Sequence, residues 1–343
     1  MSDTYLNWLV RNTKTKWWHD SARETELDIA LQHGATGVTT NPVLASIALK
    51  MDRKLLEAPL EALLTRKLQP EQKAEALMRL AVTKATERLL PDYKASKGKL
   101  GFVCAQVNPL HAGGREGMYT MAKRFNAWAP NIAVKLPATA AGLDVLEDCI
   151  AEGITVAATV SFSVAQVIAS AERHRAGIKR AKQNGAKPGK CFPVIMIGRL
   201  DDYLREIAPN TKTVVSEADI CQAGLAVTKR AYSIFRERDY EAVLLVAAMR
   251  GNYHLTELAG AELLMSIHPN SQQPFLTQNL HREERIDRPV PADIVERLRN
   301  MPDFVRAYEP DGMSPNEFET FGATQRTLNQ FIEAGWRLLE NYQ

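Results

Sequence analysis

Short apolar runs recur along this chain, separated by stretches whose apolar residues fall at helical spacing. The runs cover 16–20 (Lys16-Trp17-Trp18-His19-Asp20), 36–40, 100–107, 131–136, 154–160, 192–198, 242–248 and 263–267, with Val243-Leu244-Leu245-Val246 a typical core. Their content of β-branched and apolar residues predicts eight strands. Most are continuous rather than alternating, which is the pattern of strands covered on both faces, as in parallel sheets. Between them, residues 71–90 carry Leu77, Ala81, Ala85 and Leu89 at steps of four, flanked by Ala74, Met78 and Val82, which predicts a helix with one apolar face. Residues 140–152 do the same with Leu143, Leu146 and Ile150 and stop at Gly153. Residues 315–340, with Phe321, Leu328, Phe331, Gly335 and Leu338, predict one more helix.

Eight strands alternating with helices predict an α/β fold with a parallel sheet, and the count of eight favours a closed (β/α)8 TIM barrel over an open doubly wound sheet. No GxGxxG follows the first strand, which weakens the dinucleotide-binding alternative. A length of 343 residues suits a single barrel domain over 1–343 with extra helices. The extra material falls into a mostly helical insertion at about 45–99 and a C-terminal extension at about 275–343. The insertion has three readings: it covers the barrel mouth, it meets a second subunit, or it pads the barrel. Residues 182–190 read as an exposed loop.

Composition narrows the function classes. Hydrophobic residues make up 45% and charged residues 24%, with a net charge of +3, ordinary values for a soluble globular protein. The charges are mixed, so no nucleic-acid footprint stands out, and a mild positive balance suits an anionic small molecule. Cys104, Cys149, Cys191 and Cys221 are scattered with no CxxC pair, which predicts reduced thiols rather than disulfides or a zinc site. The first residues, Met1-Ser2-Asp3-Thr4-Tyr5, lack the basic and apolar regions of a secretory leader, and no apolar stretch approaches the ~20 residues that span a bilayer. The expectation is a cytoplasmic protein with no membrane partner. The seven histidines show no HxxxH or HExxH spacing, so no metal is expected. Homo-oligomerisation stays open.

An α/β barrel carries its active site at the C-terminal strand ends. The strands predicted here end in Asp20, in Thr39-Thr40-Asn41-Pro42, in Gln106 with Asn108, in Lys135, in Thr159 with Ser161, in Arg199 followed by Asp201 and Asp202, and in Arg250. Lys135 stands out, flanked by apolar residues in Ile132-Ala133-Val134-Lys135-Leu136-Pro137. Desolvation favours its neutral amine, a nucleophile for ketones; the alternative is a strand-end lysine paired with a carboxylate. Asp20 reads either as a proton shuttle beside such an amine or as the cap of a helix opening at Ser21. Asn41 reads as a helix cap ahead of Pro42 or as a ligand of substrate hydroxyls. Arg199 and Arg250 could clamp a phosphate or pair at the surface with Asp201 and Asp202. His111 and His254 fall near strand ends as further candidate contacts, and Trp17 and Trp18 read as wall-packing aromatics.

Two segments, Gly37-Val38-Thr39-Thr40-Asn41-Pro42 and Val134-Lys135-Leu136-Pro137-Ala138-Thr139 followed by Ala141-Gly142-Leu143, resemble the signature segments of the transaldolase family. Three further stretches resemble its fifth-, sixth- and seventh-strand segments in the expected order: Thr159 to Gln166, Gly198-Arg199-Leu200-Asp201-Asp202, and Ala247-Ala248-Met249-Arg250. The likeness runs from about Trp17 to His268. It implies a Schiff base between Lys135 and C2 of a ketose phosphate, with Asp20 taking the C4 hydroxyl proton. Asn41, Thr40 and Ser161 would lie at substrate hydroxyls, with Arg199 and Arg250 at the phosphate. The implied activity is transfer of a three-carbon dihydroxyacetone unit to an aldose, without cofactor; the alternatives are aldol cleavage, or a sugar-phosphate-binding barrel without turnover. The chain departs from the family pattern in four places. Gln106 stands where transaldolases proper have Glu, with Thr159 retained, and this Gln resembles the fructose-6-phosphate aldolase branch. That branch also has a Tyr on the sixth strand, where Met196 stands here. Val194 and Ala248 replace two Ser of the phosphate site.

Overall fold

The computed structural model describes residues 4–210 and 215–343. The leader reading of Met1–Asp3 therefore lies outside the described residues. Eight strands form: β1 (Lys16–Asp20), β2 (Gly37–Thr39), β3 (Phe102–Gln106), β4 (Ile132–Pro137), β5 (Val156–Thr159), β6 (Cys191–Met196), β7 (Leu245–Ala247) and β8 (Leu264–Ile267). Each falls on a run predicted from sequence. Neighbours pair in parallel in chain order and β8 returns to β1, closing a (β/α)8 TIM barrel. Among the described residues no helix is long and apolar enough to cross a membrane.

The pairing register decides which side chains face inward, because strand side chains alternate. Trp18 is opposite Ser266, Asp20 opposite Thr39, Gln106 opposite Lys135, and Pro137 opposite Thr159. Followed around all eight pairings, the alternate residues return to β1 in phase. Asp20, Thr39, Gln106, Lys135, Thr159 and Ser266 thus share one face with Trp18, Phe102 and Phe192. That face is the interior: the Trp18 and Phe192 rings, from β1 and β6, meet edge-on at 5.0 Å, and Phe102 meets Phe192 at 5.3 Å. These aromatics plug the barrel below the polar residues. Gly37 makes room for them, since a Cβ there would lie 2.7 Å from the Trp18 indole. Trp17 points outward and donates its Nε1–H to the His33 carbonyl, 3.2 Å.

The helices largely follow their periodicity. The 71–90 pattern becomes Pro70–Ala95, opened by a capping box between Gln69 and Gln72. The second becomes Ala140–Ala151, with the Thr139 hydroxyl accepting from Gly142 N and Gly153 at φ +84° beyond its end. The insertion comprises this long helix with Pro42–Met51 and Glu57–Leu64. The long helix packs on β3, on Pro42–Met51 and on the last helix of the chain. The helix expected over 315–340 forms from Gly322 to Glu340, later than its predicted start and with a π-helical turn inside it. Residues Gly322–Phe331 are α-helical, Ile332–Trp336 form a π-helical turn, and Arg337–Glu340 close the chain. The widened turn seats Gly335 against Pro42 and Val43, where a Cβ would come within 2.7 Å of Pro42 Cβ. The tail is thereby laid across the start of the Pro42–Met51 helix, at the C-terminal rim of the barrel.

Candidate active site

Lys135 lies on the inward face and is 5% exposed. Its Nζ donates to the main-chain carbonyl of Thr40, 3.1 Å away, and among the described residues it forms no ion pair. The paired-lysine alternative therefore fails. Burial pulls the amine below the ordinary lysine range. The Asp20 carboxylate opposes that shift, while the Arg199 guanidinium adds to it. The Cys104 thiol is itself pushed up to about 12, chiefly by burial, and so stays neutral.

Asp20 does not cap a helix. The following helix opens only at Glu24, with Arg23 in the cap position. The Asp20 Oδ1 instead accepts from the Thr39 hydroxyl at 2.7 Å, and that hydroxyl also meets Ser266 Oγ at 2.5 Å. One donor proton from Thr39 goes to the carboxylate, so Ser266 donates to Thr39. This chain from β8 through β2 to β1 fixes the carboxylate, and its Thr39 and Ser266 links went unrecognised in the sequence.

Asn41 serves as a cap: its Oδ1 accepts from Leu44 N at 3.0 Å. It also lines the cavity at the barrel mouth, which leaves its Nδ2 as the donor for a ligand. Thr40 and Ser161 do not reach that cavity. The Thr40 hydroxyl goes to the Cys104 carbonyl at 2.7 Å, and the Ser161 hydroxyl goes to the Val194 carbonyl. Lys135, Gln106 and Thr159 are all buried on the inward face, below the cavity rather than among the residues that line it. The Gln106 Oε1 and the Thr159 Oγ1 have no hydrogen-bond partner among the described residues, and buried polar atoms in that state call for a ligand or water.

The two arginines differ. Arg199, in the first turn of the helix Ile197–Ile207, lies with its guanidinium over the Phe331 ring at 5.3 Å. It donates to Gln330 Oε1, and its buried Nε has no hydrogen-bond partner among the described residues. Burial, reinforced by the neighbouring Arg250 charge, lowers its proton affinity to a pKa of about 10. Arg250 is tied down: its Nε donates to Asp202 Oδ2 at 2.8 Å, one terminal nitrogen is ion-paired with the same oxygen at 2.7 Å, and the other terminal nitrogen donates to the Ala248 carbonyl at 2.8 Å. The surface-pair alternative thus holds for Arg250 and fails for Arg199. Gly198 lets the two segments touch, since a Cβ there would meet the Ala248 carbonyl at 2.3 Å and Arg250 Cγ at 2.5 Å. Ala248 and Val160, each just past a strand end, adopt left-handed φ values of +60° and +55°, strain of the kind that collects at functional rims. Gln166 steadies the second of these turns, donating to the Val160 carbonyl and accepting from Phe162 N.

The cavity above the strand ends holds about 300 Å³. Asp20, Asn41, Arg199 and Arg250 line it together with Ser266, His268, Ser271, Gln330 and Phe331. The last two come from the C-terminal tail, some 130 residues beyond Arg199 in sequence. The periodicity of 315–340 marked Phe331 as a core position, but nothing in the sequence marked Gln330. Neither of the candidate histidines lines the cavity. His111 Nε2 lies 2.6 Å from Glu71 Oε1 on the long insertion helix, and the same oxygen accepts from Asn108. His254 is wholly buried against Asp201.

A family model described as Transaldolase/Fructose-6-phosphate aldolase matches residues 17–319. The chain is 32% identical over 189 residues to the transaldolase of Neisseria gonorrhoeae, a stretch covering 54% of each protein. It is 28% identical over 246 residues to that of Thiobacillus denitrificans, covering 68% of each. It is 29% identical over 217 residues to transaldolase 2 of Streptomyces avermitilis, covering 62% of this chain and 56% of that protein. The matched stretch thus spans about half the length of the first of these relatives. With a match that takes in every strand of the barrel and most of its rim, this chain belongs to the transaldolase/fructose-6-phosphate aldolase family.

Proposed function

We propose that this barrel transfers a three-carbon dihydroxyacetone unit from a ketose phosphate to an aldose through a Schiff base on Lys135. The observation that carries this reading is a buried lysine amine that donates to a neutral carbonyl, forms no ion pair among the described residues, and shares the inward barrel face with the fixed Asp20 carboxylate. The neutral amine attacks the C2 carbonyl, and loss of water leaves a protonated imine. Asp20 takes the C4 hydroxyl proton as the C3–C4 bond breaks. The bonding electrons pass into the imine as an enamine, and the aldehyde departs. The enamine carbon then attacks the acceptor aldehyde, Asp20 returns its proton to the new alkoxide, and water hydrolyses the imine. The free Gln106 Oε1 and Thr159 Oγ1 suit a role in holding that water. Asn41 donates to substrate hydroxyls, Arg199 is the principal anchor of the phosphate, and Arg250 assists.

This reading takes the chain as one catalytic barrel, acting in the cytoplasm on sugar phosphates of the pentose phosphate type. A second reading, aldol cleavage, is favoured by Gln106, whose amide cannot exchange a proton at neutral pH as a Glu would. Borohydride reduction in the presence of a ketose phosphate tests the shared chemistry: mass is expected on Lys135, and its absence with every ketose tried would sink the proposal. Adding an acceptor aldehyde separates the two outcomes. Acceptor-dependent turnover indicates transfer, whereas free dihydroxyacetone without acceptor indicates cleavage.

A further inference from the structure

The proposed chemistry makes no use of the most deeply buried histidine–carboxylate contact among the described residues. His254 and Asp201 are both 0% exposed, with Nε2 2.9 Å from Oδ2. The other ring nitrogen, Nδ1, accepts from the main-chain N–H of Arg250 at 3.1 Å. An acceptor carries no proton, so Nδ1 is bare and Nε2–H donates to Asp201. The second carboxylate oxygen, Oδ1, accepts from Gly224 N at 2.8 Å. Gly224 is closely fitted there, for a Cβ would lie 2.6 Å from the Ile197 carbonyl and 3.0 Å from that same oxygen. Asp201 is therefore fixed from the helix Glu217–Glu237, outside the barrel mouth.

The chain of bonds ends on the turn that presents Arg250. That turn begins with Ala248 at φ +60°, a conformation that an L-residue keeps only when its surroundings enforce it. Asp202, the next residue, holds the Arg250 guanidinium, while Asp201 works through His254 on the Arg250 main chain. A histidine that merely filled space would need only its volume. Here the sense of every bond is relayed: the carboxylate selects the tautomer, and the tautomer leaves the acceptor that Arg250 N–H requires.

We propose that Asp201 and His254 are a positioning pair that aims the Arg250 turn and so sets the affinity of the site for the anionic end of its substrate. This rests on the reading of Arg199 and Arg250 as anion anchors. The pair touches no substrate.

Three variants test it. His254→Leu removes both bonds. Asp201→Asn leaves one acceptor oxygen for two donors, so either Nε2–H of His254 or the Gly224 N–H loses its acceptor and the relay to Arg250 is broken. His254→Asn keeps an acceptor oxygen near the place of Nδ1. Steady-state constants are measured with a phosphorylated ketose and with an unphosphorylated one, and inorganic phosphate binding is measured by calorimetry. His254→Leu and Asp201→Asn are expected to raise KM for the phosphorylated substrate and Kd for phosphate about tenfold, the size of one misaimed charged hydrogen bond. The constants for the unphosphorylated ketose should stay within about twofold, and His254→Asn should recover most of the loss. Equal losses on both substrates would reduce the pair to a packing element and overturn the proposal, as would unchanged phosphate affinity. Should His254→Leu not fold, Asp201→Asn against His254→Asn decides, because the reverse order of effects contradicts the relay. If no ketose is trapped on Lys135 yet phosphate binding weakens as expected, the catalytic reading fails while the positioning pair stands.

Discussion

The Nζ of Lys135 and the carbonyl of Thr40 are 3.1 Å apart, so the amine of β4 is held by the turn that follows β2. One neutral acceptor does little to stabilise an ammonium, whereas burial strongly disfavours it. Lys135→Met should abolish borohydride trapping while leaving the fold intact. It should also raise stability at neutral pH, because Met carries no desolvation cost. The unfolded lysine holds its proton up to about pH 10.5 and the folded one loses it earlier. Wild-type stability therefore climbs relative to Lys135→Met as pH rises toward that value. Denaturant midpoints of the two proteins across pH 7–10 check this: the gap should narrow with rising pH.

Arg199 acts twice, as the free guanidinium at the mouth and as a positive charge that depresses the Lys135 amine. Arg199→Met should raise KM for a phosphorylated ketose by about tenfold to a hundredfold, the worth of a lost charged contact. It should also move the trapping-rate profile of Lys135 to higher pH. A KM effect with no movement of the profile would separate the two roles.

Asp202 occupies Arg250 with bonds of 2.7 and 2.8 Å, in competition with any phosphate. Asp202→Asn should lower the Kd for a phosphorylated ligand severalfold, with the gain shrinking at high salt because the pair is half exposed. Calorimetry at two ionic strengths reads it. Weaker binding in the variant would mean that the carboxylate orients Arg250 rather than competing for it.

Gln106 is beside Lys135 in the strand register and cannot exchange a proton. Gln106→Glu supplies a carboxylate at that place, and a positioned acid–base group is typically worth about 10²–10⁴-fold. An increase in kcat of at least about tenfold is expected, with a new acidic limb in the pH profile. No increase would mean that water activation does not limit turnover.

His19 packs on the outer face of the barrel wall, 1% exposed, its Nδ1 3.0 Å from Gln272 Nε2. Burial lowers its pKa to about 4 from an ordinary 6.5, with Glu26 and Asp20 partly opposing. Between those values the unfolded chain binds the proton and the folded one does not, so stability falls as pH drops from about 6.5 to about 4. The total loss is on the order of 3 kcal/mol. In His19→Gln this part of the acid destabilisation should vanish, as read by thermal melts at pH 7, 5.5 and 4.5.

The hydrophobic pattern carried the barrel, because strands buried on both faces must be continuously apolar and the helices around them must have one apolar side. Runs such as Ile132–Leu136 can be read without any partner in view, and the polar ends of those runs, Asp20, Lys135 and Arg199, follow directly. Local signals also carried the Asn41 cap ahead of Pro42 and the stop at Gly153, whereas the Thr139 cap appeared only in the structure. The sequence could not say where Asp20 finds its hydrogen bond, since the Thr39–Ser266 chain joins strands separated by 227 residues. Nor could it show that Arg199 lies on Phe331 beside Gln330 while Arg250 goes to Asp202. Those outcomes depend on the closure of the register and on a π-helical turn that lays the tail over the mouth. Patterning acts within a few residues, whereas the partner of a buried polar group is chosen by whatever chain the closed barrel brings within about 3 Å of it.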